Sequence, residues 1–184
     1  SFNGSTDGLW TLTPPADFVN GEVTILSVFD LVGAGSGGPV AGTMTTDGNA
    51  RLWVDTNSNN LRIFNQGMPD GVPDASKYIE QPVTTGNKAL KIRYDGPGGG
   101  DGFYALNTLT ETSYGTGGDT GTTSFSSLAS VALGAGVEGI SGTRDGSFVN
   151  IAYAEQVWIY GNPSDEEMDS WKTYVNNKYG TIIA

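Results

Sequence analysis

Residues 154–180 read AEQVWIYGNPSDEEMDSWKTYVNNKYG, and two periodicities meet inside them. Residues 154–160 are rich in β-branched and aromatic side chains and predict a last strand, ended by Gly161, Asn162 and Pro163. Ser164 stands three residues ahead of Glu167, the spacing of a capping box. In that arrangement the hydroxyl accepts from the Glu167 amide while the carboxylate reaches back to the Ser164 amide. Asp165, Glu166 and Glu167 lie at the positive end of the helix dipole, Lys172 and Lys178 in the later turns, and Gly180 is a natural stop. Met168, Trp171, Tyr174 and Val175 recur at helical spacing as one apolar stripe. The chain thus ends as strand, turn and capped amphipathic helix, and the stripe needs a surface to pack on.

Upstream, apolar β-formers recur in short runs between Gly, Asn, Asp and Pro clusters, the pattern of an all-β sandwich. Residues 23–29 (VTILSVF) form the clearest strand. Residues 50–54 and 61–64 flank the polar segment 55–60 and predict a hairpin, and residues 89–94 (ALKIRY) alternate apolar with polar. Residues 103–106, 131–133 and 148–151 predict further strands, and residues 112–127 a long loop or weak edge strand. No internal repeat emerges. With 184 residues the chain fits one domain, 1–184, large enough to bury a core without staples.

Composition narrows the chemistry. There is no Cys and no His, which removes the usual zinc sites, thiol nucleophiles and Ser-His-Asp triads. Twenty acidic against nine basic residues give a net charge of −11, so a nucleic-acid partner is repelled, and an anionic membrane surface likewise. No run approaches the roughly 18 apolar residues of a membrane helix. The first residues, SFNGSTDGLW, are strand and turn material with no signal peptide. Either a removed leader or a natural start at Met before Ser1 fits them.

The tail resembles the C-terminal signature of concanavalin A-like, laminin-G-like jelly rolls. Ala154, Glu155, Gln156, Val157, Trp158, Ile159 and Tyr160 match the family's final strand, and Ser164, Glu167, Tyr174, Lys178, Tyr179 and Gly180 match its capped helix. Phe2-Asn3-Gly4, residues 23–29 and residues 91–96 (KIRYDG) agree more loosely. The resemblance implies two antiparallel sheets of about six or seven strands packed face to face, with the terminal helix closing one edge. Relatives mostly bind glycans, proteins or surfaces, or serve as spacers in adhesins and phage particles, and some are glycoside hydrolases.

The hydrolase branch needs two carboxylates across a glycosidic bond. In laminarinase-like members they come from a Glu-x-Asp-x-x-Glu strand, and none of the seven glutamates here has that spacing, so a non-enzyme is expected. Glu155, shared with the family, either faces solvent or anchors a neighbouring loop by accepting backbone N–H bonds; the structural role is the expectation. Calcium is the cofactor the resemblance suggests, with hard oxygen ligands at Asp95, Asp101 and Asp119 in Gly-rich loops. Residues 55–60 begin like an EF-hand loop but lack its Gly and distal Glu, and PGGGDG lacks the ending of a phosphate loop. For stacking on sugar rings, Tyr104 and Tyr114 are the candidates, whereas Trp158 and Trp171 belong to the core.

Three functions follow in order. The first is a non-catalytic module docking on a larger assembly, such as a phage virion decoration or fibre protein. The second is a secreted, lectin-like carbohydrate-binding adhesin domain, and the third a glycoside hydrolase. The expected partners are proteins of that assembly, glycans, or both. Homo-oligomerisation through residues 112–127 accompanies the first reading, and an extracellular or virion-surface location suits the leading two.

Overall fold

The computed structural model describes residues 2–3, 9–11, 22–32, 39–45, 50–57, 60–65, 78–94, 102–114, 128–133, 135–138, 143–148 and 150–184. Two six-stranded sheets dominate. The first runs β1 (Phe2–Asn3), β14 (Asn150–Tyr160), β3 (Val23–Leu31), β8 (Gly86–Tyr94), β9 (Gly102–Leu106), β10 (Thr112–Tyr114). The second runs β2 (Leu9–Thr11), β11 (Leu128–Leu133), β4 (Pro39–Thr45), β5 (Ala50–Asn57), β6 (Asn60–Asn65), β7 (Tyr78–Pro82). Strands β12 (Ala135–Glu138) and β13 (Thr143–Phe148) form a separate pair. Neighbouring strands are antiparallel throughout, and one helix, α1 (Asp165–Tyr179), follows β14. This is the all-β architecture with one C-terminal helix that the strand pattern predicts, and the 55–60 segment does close a hairpin, β5 to β6.

Strand β3 explains the layering. It lies between β14 and β8, and nearly every residue is buried, which is why its sequence is apolar without alternation. On one face Val23, Ile25, Phe29 and Leu31 join Leu90, Ile92, Tyr104 and Ile151 of the same sheet and Leu61 of the other, filling the space between the sheets. On the opposite face Val28 and Ala89 meet Val175 of α1 and Ile183 beyond it, with Trp171 and Tyr179 packed alongside. Each fully buried aliphatic or Phe side chain contributes about 1.5–3 kcal/mol. The helix therefore covers the outer face of the first sheet rather than closing an edge. The cause is the outward pair Val28 and Ala89, one of them small, at the centre of that sheet.

A bulge sets which side chains of β14 face which layer. Tyr153 pairs with Phe29, but Glu155 pairs with Val28, so one extra residue, Ala154, is inserted between them. Without it, strict alternation from Ile151 and Tyr153 would aim Glu155 into the apolar interior. With it, Gln156 and Trp158 turn inward beside Ser27 and Ile25, and Glu155 turns toward the helix. Inside, Gln156 donates to Ser27 Oγ (3.2 Å) and accepts from Trp158 Nε1 (2.9 Å), so these buried polar groups are satisfied.

The capping box is complete. The Glu167 amide donates to Ser164 Oγ (3.3 Å), and the Ser164 amide donates to Glu167 Oε2 (2.8 Å). The Ser164 amide and the Ser164 hydroxyl, which donates to the same Oε2 (2.9 Å), hold the Glu167 carboxyl below its usual range. Replacing Ser164 with Ala should cost about 1 kcal/mol, a fall in melting temperature of roughly 2–4 °C for a chain of this size; thermal denaturation followed by circular dichroism reads it. Of the apolar stripe, Met168 and Val175 are buried, whereas Tyr174 is exposed and uses its hydroxyl instead.

Candidate functional site

Alternation along β8 puts Ile92 in the interior and Lys91 and Arg93 on the outer face, the side the helix covers. The helix covers only part of that face. Glu111, just ahead of β10, reaches both cations: Lys91 Nζ lies 2.7 Å from Oε1 and Arg93 Nη2 lies 2.7 Å from Oε2. Arg93 Nε adds contacts of 3.1 Å to both oxygens, and the guanidinium stacks 4.1 Å above the Phe103 ring. Side-chain exposure is 7% for Lys91, 11% for Arg93 and 21% for Glu111, so the trio is largely withdrawn from water. Burial pushes the Glu111 carboxyl up, but hydrogen bonds from Arg93 and Lys91, with their charges, outweigh it and hold the group below the usual carboxylate range.

Beside this trio is a pocket of about 560 Å³. The sheet side contributes Lys91 and Glu111, the β9–β10 connection Leu109 and Thr110, and the turn after β14 Asn162 and Pro163. Helix α1 adds Asp165, Met168 and Asp169. Each wall is fixed locally. Asn107, with φ of 58°, exchanges two bonds with Ala89: its amide donates to the Ala89 carbonyl (2.8 Å) and its Oδ1 accepts from the Ala89 amide (2.9 Å). Asparagine tolerates that left-handed conformation, and the connection carrying Leu109 to Glu111 starts from it. On the other wall the Gly161 amide donates to the Glu22 carbonyl (2.7 Å) and its carbonyl accepts from Thr24 Oγ1 (2.8 Å), which holds the turn bearing Asn162 and Pro163. The chain end is tied down as well: Asn176 accepts from the Ile182 and Ile183 amides (2.9 Å each) and donates to the Ile183 carbonyl (2.8 Å).

The pocket is polar and contains one ion pair among its described lining residues, Lys91–Glu111. Lys91 carries three N–H donors, and Glu111 is its one partner among the described residues. On the helix side, the carboxylates of Asp165 and Asp169 have no hydrogen-bond or ion-pair partner among the described residues. Donor capacity on one wall and acceptor capacity on the other suit a ligand that does both.

Of the residues singled out from sequence, Tyr104 lies away from this pocket. It belongs to the core between the sheets, is 8% exposed and donates its hydroxyl to Gln81 Oε1 of β7 (2.6 Å). Its ring ties the two sheets together and has no open face for stacking. Tyr114 ends β10 opposite Gly102. Asp95, Asp101 and Asp119 lie outside the described residues, and among the described ones no three acidic side chains converge on a metal position. Trp158 packs against the inter-sheet core and Trp171 against the helix-side cluster, as expected. No sequence motif joins Lys91, Glu111, Asp165 and Asp169 into a site. The available signal is that KIR places two cations on one strand face, while Glu111 is the single charged residue across 102–118.

No protein family and no curated protein matches the chain by sequence. Solved structures do match it. A carbohydrate-binding module, the Ruminococcus gnavus IT-sialidase CBM40 bound to alpha2,3 sialyllactose, superposes with a TM-score of 0.64 at 13% identity, over 92% of this chain and 93% of that one. The SAP-like pentraxin of Limulus polyphemus superposes with 0.63 at 13% identity, over 100% and 86%. The NanB sialidase of Streptococcus pneumoniae gives 0.66 at 13% identity over 92% of this chain, which spans only 27% of the sialidase. The fold is a jelly roll. At these identities the likeness carries the jelly-roll architecture and leaves ligand and chemistry to the chain's own residues.

Proposed function

We propose that this chain is a non-catalytic, lectin-like carbohydrate-binding module and that the pocket between the first sheet and α1 holds one sugar unit of a glycan. The observation that carries this reading is the meeting, around one polar cavity, of a buried, under-committed ammonium at Lys91 with carboxylates at Asp165 and Asp169 that have no partner among the described residues. Sugar hydroxyls donate and accept at once, and they can bridge such walls, whereas an apolar cofactor would leave both unsatisfied. The volume lies inside the roughly 300–1,000 Å³ range of small-molecule sites. The shared fold with a carbohydrate-binding module supports glycan binding in general.

Glu111 does not suit the role of a glycosidase acid. A glycosidase needs one acid kept protonated near neutral pH. Glu111 in this pocket is held in the opposite direction by Arg93 and Lys91.

The test is a glycan array probed with the folded chain, in calcium and again in EDTA, beside a Thr110→Trp variant. Thr110 is exposed on the pocket rim, so the larger ring fills the cavity without entering the core. Binding should survive EDTA, because protein side chains supply the contacts, and should fall at least about tenfold in the variant. Silence from the folded protein in both conditions would replace this reading with docking on a larger assembly, the virion-surface role. Binding abolished by EDTA would move the site to a calcium-holding loop, where Asp95, Asp101 and Asp119 are the proposed ligands.

A further inference from the structure

We infer that the pocket selects non-anionic sugars, either neutral units or units bearing a free amine, and rejects carboxylated or sulfated ones. This rests on the glycan-binding reading above and adds the charge class of the ligand.

The pocket lining contains one cation, Lys91, against Glu111, Asp165 and Asp169. Counting Arg93, which contacts Glu111 from behind, two cations still face three carboxylates. Neither cation is available to a ligand anion as a free charge, because Glu111 already binds both and Arg93 is stacked on Phe103. An anionic sugar would therefore compete with a bidentate internal carboxylate and approach two more.

The helix wall strengthens the point. Asp165 and Asp169 are one turn apart on the same side of α1, where like charges repel. Asp165 is accounted for by the helix dipole, since it lies in the first turn. Asp169 lies beyond that turn, has no ion-pair or hydrogen-bond partner among the described residues and lines the pocket. An ammonium on the ligand would relieve that repulsion, and hydroxyls would satisfy the same oxygens without charge. The net charge of −11 adds a long-range field of the same sign.

The experiment is an array carrying neutral, free-amine, sialylated and sulfated glycans, read at low and high salt, with the native chain, Thr110→Trp and an Asp165→Asn/Asp169→Asn double variant. Both Asp residues are exposed, so the double variant should fold. Neutral and amine-bearing glycans should bind and anionic ones should not. Amine-bearing ligands should weaken as salt rises, and the double variant should lose on the order of fivefold for them together with that salt dependence. Preferred binding of sialylated or sulfated glycans that Thr110→Trp abolishes would overturn the charge inference and leave the glycan site standing. Absence of binding to every class would overturn both. Amine binding that neither variant alters would also overturn the inference, because the acidic surface at large would then be its source.

Discussion

A Glu111→Ala variant is expected to be about 3–5 kcal/mol less stable than the native chain. The cost comes from what is left behind. Lys91 and Arg93 retain 7% and 11% side-chain exposure, and without the carboxylate two like charges share one desolvated patch of the outer sheet face. At roughly 2–4 °C per kcal/mol the melting temperature should fall by about 6–20 °C. A Lys91→Met/Glu111→Gln double variant should recover part of the loss, since methionine fills the lysine stem volume and one uncompensated cation disappears. The native trio should also show in acid. The Glu111 carboxyl is held below its ordinary value, so its contribution is complete above the ordinary carboxylate range. It is lost as pH falls through the lowered value. Urea titrations of the native chain and both variants measure this. A Glu111→Ala variant as stable as the native chain would mean that water already compensates the two cations and that Lys91 is not preorganised for a ligand.

The legible part of the molecule was the part set by local chemistry. The capping box at Ser164 and Glu167, the uninterrupted apolar run in β3 and the hairpin around residues 55–60 all follow from side chains close together in sequence. What escaped depended on register and on separation. Glu155 looked like a possible anchor for backbone amides, but the bulge at Ala154 turns it onto the helix, where it meets hydroxyls and an ammonium instead. Tyr104 is a stacking candidate by residue type, yet its pairing with Ile92 puts it on the inner face of β9. The pocket joins β8, the residues before β10 and the first turns of α1, and no spacing rule links positions 91, 111 and 165.

Glu155 carries the second large effect. Its Oε1 accepts from the Tyr174 hydroxyl (2.5 Å), the Tyr179 hydroxyl (2.6 Å) and Lys178 Nζ, so one carboxylate on β14 fastens three side chains from the last turns of α1. Lys178 also lies 5.1 Å and 5.2 Å from the centres of the two tyrosine rings, a further attraction for the cation. The Lys178 contact foremost, with the two hydroxyls, pulls the Glu155 carboxyl down from 4.5 to about 2. The folded value is depressed, so the stabilisation is complete above the ordinary carboxylate value and is lost as pH falls toward 2. Taken whole, such a shift corresponds to about 3 kcal/mol. The carboxylate is 24% exposed and its lysine partner half-exposed, so solvent screening reduces the expected cost of Glu155→Gln to about 1–2 kcal/mol. Trp171 sits on the same helix beside the sheet, so its share of the summed emission of the four tryptophans responds to helix detachment. The native chain should hold that signal at pH 5 and lose part of it between about 4 and 2. The Gln variant should start from lower stability and show a flatter response across the same window. The matched variant Lys178→Met separates charge from hydroxyl bonding. If the ion pair dominates, the double variant should cost little more than either change alone, because each single variant has already removed the same interaction. Additive losses would instead assign the clasp to the two tyrosines, with Glu155 acting as a neutral acceptor would.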